Sequence, residues 1–184
     1  VIALGLASLF GSIDPFLSIS PRLAQGALLV LATLLFFMGG RIIAPALAGH
    51  AQSQGWNLQA RVQPRLEGAG LVLLGTALLA LLISLEYLAG ALLLAAGLLA
   101  GTRLLRWQPW RHLRRADLAV LLLGYAWLAL GLLLFGAALL FDALPLTVAL
   151  HGITVGALGT LTLAVMARTR LLYRFRDANA RPWI

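Results

Sequence analysis

The sequence predicts an all-α fold: a polytopic transmembrane helix bundle of five full spans plus one truncated N-terminal helix, forming a single transmembrane domain over residues 1–184. Three observations carry this. Hydrophobic residues make up 61% of the chain and charged residues 11%, with a mean hydropathy of +0.96, against roughly 45–50% and 25% in soluble domains. Uncharged runs of bilayer-crossing length recur along the chain, and a run of about 20 apolar residues spans the hydrocarbon as a helix. Finally, the 14 basic side chains are all arginine and cluster at alternate ends of those runs.

Val1 to Ile13 is an apolar stretch too short to span, and no basic segment precedes it as in a signal peptide. It reads as the end of a severed helix, so the chain is expected to be the C-terminal fragment of a longer membrane protein. Asp14, Pro15, Ser20 and Pro21 make a turn. Leu23 to Gly40 is the first full span, closed by Gly39, Gly40 and Arg41. Arg41 reads as a snorkelling arginine at the membrane edge or as an anion contact, the former being the commoner use. A polar segment from Gly49 to Pro64 follows, with Trp56 as an interfacial anchor and His50 solvated.

Gly68 to Leu85 and Tyr87 to Thr102 are two spans joined by a hairpin at Glu86, the second lengthened by a snorkelling Arg103. Between Arg103 and Arg115 arginines alternate with Trp107 and Trp110. Between two spans this is an interfacial belt rather than a nucleic-acid groove, and anionic lipid is the partner expected for the net charge of +8. Leu118 to Phe141 is the next span, with Tyr125 and Trp127 well inside. A buried tyrosine hydroxyl needs a partner, so Tyr125 either bonds a neighbouring helix or lines a cavity.

The last span, Ala143 to Ala167, carries His151, and an ionisable group at membrane depth normally does something there. Gly152, Gly156 and Gly159 are spaced to form a smooth packing stripe, with His151, Thr154, Val155, Leu158 and Thr162 on the adjoining face. Entering from the turn at Asp142 and Pro145, the helix holds His151 ~9 Å below the membrane face and Met166 ~22 Å further on. The two cannot share a metal, and His50 and His112 lie at the opposite face. Thirteen arginines fall on one side of the predicted topology and Arg22 alone on the other. The positive-inside rule then makes the C-terminus cytoplasmic. Cysteine is absent, which removes disulfides and thiolate chemistry. No paired carboxylates, nucleophile with base, or phosphate loop is present, so no enzyme class is predicted.

HGITVGALGTLTLAVMAR at His151 to Arg168 resembles the C-terminal signature of the NnrS family of bacterial polytopic membrane proteins. FMGGRIIAP at Phe37 to Pro45 is similar to that family's GGR segment. LLRWQPWRHLRR and LLLGYAWLALG are similar to its RLxRWxxWR and GYAWL segments. The resemblance implies haem and copper as cofactors, a role in nitric oxide metabolism or the nitrosative stress response, and residence in the bacterial inner membrane. It implies His151 as an axial or copper ligand, with Arg41 and Tyr125 in support. Leu122 stands where the family pattern has a histidine, Leu171 to Arg176 replaces its LGHTGR-like close, and its N-terminal half with a WHxHEM segment lies outside this sequence. Further ligands are therefore expected from that N-terminal half or another chain. The alternative reading is a non-catalytic scaffold, or half of a transporter without a metal cofactor, with His151 as a helix-packing hydrogen bonder.

Overall fold

A computed structural model describes residues 21–58, 63–141 and 144–175. All elements among them are helical: α1 (Pro21–Ser53), α2 (Pro64–Leu82), α3 (Glu86–Arg106), a 3₁₀ turn (Pro109–Arg111) and α4 (Ala116–Phe141). The last helix is continuous but has three parts: α5 (Leu146–His151), a π-helical segment (Gly152–Gly159) and α6 (Thr160–Phe175). Among the described residues, five helices are long and apolar enough to cross a membrane. The severed helix expected at Val1 to Ile13 lies outside the described residues.

Runs of leucine and alanine favour helix and give it an apolar surface on every side, as a bilayer demands. Proline opens α1 and α2, where its missing N–H costs nothing. Glu86 and Asp117 sit in first turns, and Arg103 and Arg106 in a last turn, matching the helix dipole. The ends of α1 and α2 share one device. Trp56 N–H reaches Ala51 O and Gly55 N–H reaches Gln52 O, while Leu85 N–H reaches Ala80 O and Ser84 N–H reaches Leu81 O. Both are Schellman caps, and both put a residue in the left-handed region, Gly55 at φ 79° and Ser84 at φ 68°. The tight α2–α3 hairpin expected at Glu86 follows from the second of these.

α4 is the centre of the bundle, with α1, α3 and the last helix against it. Neighbours run antiparallel, as their contacts show: a Cβ on Gly90 would meet Gly136 and Leu140, one on Gly97 would meet Leu133, and one on Gly124 would meet Leu161. The closest approach is at Gly136, where a Cβ would lie 2.7 Å from Gly90 O and 2.8 Å from Leu94 N. Two backbones touch there, so packing rather than hydrophobic exclusion holds α3 to α4.

Four expectations change. Gly39, Gly40 and Arg41 do not end the first span: α1 runs unbroken to Ser53, carrying Pro45 inside it. The polar segment expected from Gly49 is therefore helical for its first five residues. Arg103 does not snorkel, because it is buried at 2% exposure inside the bundle. Trp107, expected in an interfacial belt, is at 0% and belongs to the core, whereas Trp110 is 59% exposed as a belt residue would be.

Candidate functional site

The polar interior is built on Gly39 and Gly40. A Cβ on Gly39 would lie 2.5 Å from Tyr125 Cε2, and one on Gly40 would lie 2.0 Å from Arg103 Nη2. Bare backbone at two successive residues therefore opens a notch in α1 that receives a tyrosine from α4 and an arginine from α3. Arg103 Nη1 donates to Phe36 O at 3.2 Å and to Tyr125 Oη at 3.4 Å, and Nη2 donates to Glu67 Oε2 at 3.3 Å. The guanidinium also lies over the rings of Phe36 and Trp107, 5.0 and 5.3 Å from their centroids. Tyr125, fully buried, stacks on Trp107 with centroids 5.0 Å apart. Arg41 points outward, is exposed, and reaches Glu67 Oε1 at 3.8 Å while its guanidinium covers Phe37.

Glu67 thus ties two arginines from two helices, and three separate stretches of sequence meet on it. A charge at this depth persists only when paired, and removing one partner of a buried pair costs about 3–5 kcal/mol. Sequence reasoning missed Glu67. Its signal was present: a lone carboxylate among arginines at the mouth of an apolar span has to be neutralised by one of them.

A second charged knot joins α4 to α6. Arg115 Nε donates to Asp117 Oδ1 at 3.2 Å, and Arg168 Nη1 donates to Asp117 Oδ2. Asp117 is the only acidic residue in the first turn of α4, so it also complements that helix's dipole.

His50 is not simply solvated. Its Nδ1 lies 2.9 Å from His112 Nδ1, so one ring donates to the other, and His112 is fully buried. Trp56 lies against His112 with centroids 5.6 Å apart, and the Arg111 guanidinium caps Trp56 at 4.8 Å. Burial, then the neighbouring His50 and Arg111, hold His112 down to about 4. This pair fastens the loop after α3 to the end of α1, a contact across 62 residues that spacing alone does not reveal.

His151 stands apart from all of these. It is exposed, and its Nδ1 lies 2.8 Å from Thr147 O. A carbonyl only accepts, so Nδ1 carries the proton, and whenever the ring is neutral its lone pair is on Nε2. The π-helical segment begins at the next residue, and such segments are frequent at functional sites. Gly152 meets Gly131 of α4, and Tyr125 lies six residues before Gly131 on the same helix, ~9 Å along its axis. The structure brings Tyr125 and the Arg41 segment together through Gly39 but does not bring His151 to them. Among the described residues no group of three or more histidine, cysteine or acidic side chains is placed to hold a metal ion.

Five helices among the described residues that can each cross a bilayer, with Arg103 neutralised inside the bundle, define a multi-pass α-helical integral membrane protein. The family model described as NnrS protein matches residues 1–184. The chain belongs to the NnrS family. No curated protein and no solved structure matches it.

Proposed function

We propose that this chain supplies one imidazole ligand, His151, to a haem or copper centre of an NnrS-family protein acting in nitric oxide metabolism or the nitrosative stress response. The observation that carries the reading is the His151 ring itself, with Nδ1–H anchored on Thr147 O and Nε2 left as the donor atom in an exposed position. Metal-bound imidazoles are commonly oriented in this way by a backbone carbonyl. One imidazole is a single ligand and not a closed site, so any further ligands would come from outside the described residues. When bound, haem or copper supplies the affinity for nitric oxide. His151 would hold the group, while the exposed cation of Arg41 and Tyr125, which keeps Arg103 in place, belong to the polar network further along the bundle and would support it from there. The protein sits in the bacterial inner membrane with its arginine-rich end and C-terminus cytoplasmic.

The experiment is a cofactor absorbance spectrum of the intact protein. His151→Ala should abolish the haem or copper signal while the protein still extracts and unfolds as a bundle, because an exposed ring contributes little packing. Retention of both cofactors by that variant overturns the ligand role. A second reading is favoured by the Arg103–Glu67–Tyr125 network, since intramembrane charges also mark transporters. The intact protein would then be a transporter half or scaffold, and its spectrum would show no cofactor even before mutation.

A further inference from the structure

The arginine-rich end of the bundle is not uniformly charged. Glu67 is taken by Arg41 and Arg103, and Asp117 by Arg115 and Arg168. That leaves Arg65, Arg106, Arg111, Arg114 and Arg170 without a carboxylate among the described residues. Arg106 and Arg111 line one depression of about 700 Å³, together with Trp56, Asn57, Leu58, Leu105, Gln108 and Trp110. Its walls are preset. Arg111 is held over Trp56, and Trp56 is held against the buried His112. Gln108 is fixed in the left-handed region at φ 53° by its place after α3 and before Pro109.

Two features say what belongs there. The Gln108 carboxamide oxygen is buried and has no donor, and a buried acceptor left unpaired is unfavourable. It therefore calls for a hydroxyl beside the anion, since Arg106 and Arg111 in the same depression repel an ammonium donor. On the rim, Leu105 and Trp110 are each 59% exposed, the first in the last turn of a membrane-crossing helix and the second just after it, so the depression opens toward lipid. We propose that it binds the headgroup of an anionic phospholipid bearing free hydroxyls, with Arg106 and Arg111 on the phosphodiester and Gln108 and Asn57 on the hydroxyls. A basic pocket at the end of a membrane helix suits such a headgroup, and the apolar rim gives the acyl chains a path. A water-soluble phosphate would use the arginines but not the rim.

The test is lipid retention by the purified protein, read by native mass spectrometry with phosphatidylglycerol, phosphatidylserine and phosphatidylcholine. Phosphatidylglycerol should be retained in preference to the other two. Arg106→Gln should weaken its binding about fivefold, the scale of one arginine at an anionic surface. Arg170→Gln removes the same charge from an exposed site on α6 and should leave binding unchanged. Gln108→Gly suits the left-handed backbone, so the fold is kept, and it should erase the preference for phosphatidylglycerol over phosphatidylserine. Equal losses from Arg106→Gln and Arg170→Gln would mean diffuse charge and overturn the site. Displacement of the lipid by inorganic phosphate or free glycerophosphoglycerol would overturn the lipid assignment, and equal retention of phosphatidylcholine would do the same.

Discussion

His112 shows how much one side chain carries here. In the unfolded chain its imidazole takes up a proton near pH 6.5, whereas in the fold burial and the charges of His50 and Arg111 delay this to about 4. Between those values the unfolded state binds more protons, so stability must fall as the pH drops through that window and level off below it. The thermal unfolding midpoint in detergent should therefore decline from pH 7 to pH 4.5, and the decline should be shallower in His112→Gln. An equal slope in the two proteins would place the titration elsewhere. The same burial means that His112 is no silent control for a histidine scan, since its loss opens a hole between α1 and the loop after α3. His50→Ala likewise leaves a buried Nδ1 unpaired.

At the scale of elements, the last helix departs from the regular spacing that its glycines suggest. Gly152 faces Gly131, and a Cβ on Gly156 would lie 2.9 Å from the Trp127 ring, but one on Gly159 would meet only Thr154 O of its own helix, at 3.8 Å. The reason is the π-helical segment, whose wider turn carries Gly159 off the line that a 3.6-residue period would draw. The buried face runs instead through Gly152, Ile153, Ala157 and Leu161. Gly156→Leu should therefore overpack against Trp127 and lower stability by about 1–3 kcal/mol. Gly159→Leu should be neutral or slightly stabilising, because leucine is the better helix former by just under about 1 kcal/mol. Thermal melts of the two variants side by side decide it, and equal destabilisation would restore the straight stripe.

For the whole molecule, charge sets the orientation and pairing sets the shape. Arg22 and Glu86 form an exposed ion pair at the starts of α1 and α3, while Arg103, Arg106, Arg111 and Arg115 lie at the opposite end of α3 and the start of α4. An exposed pair is worth about 0–1 kcal/mol and holds little together. The excess at the other end acts on insertion, and it predicts a cytoplasmic C-terminus. A reporter active only in the cytoplasm, fused after Ile184, should be active, and a fusion active only outside the membrane should be silent. The opposite pattern would invert the bundle.

The class of fold, the number of full spans and the hairpin at Glu86 are legible from residue order alone, because bilayer solvation acts on composition and run length, which are local. The same holds for the family motifs, which are strings of residues. It could not show that Arg103 turns inward, since an arginine near the end of an apolar run reads the same whether it snorkels or meets a carboxylate from another helix. Nor could it pair His50 with His112, or shift Gly159 off the packing face. Those outcomes depend on which helices lie side by side and on a local change of helical period. Only the tertiary structure decided them, because a buried charge or a glycine contact takes its meaning from an atom far away in the chain.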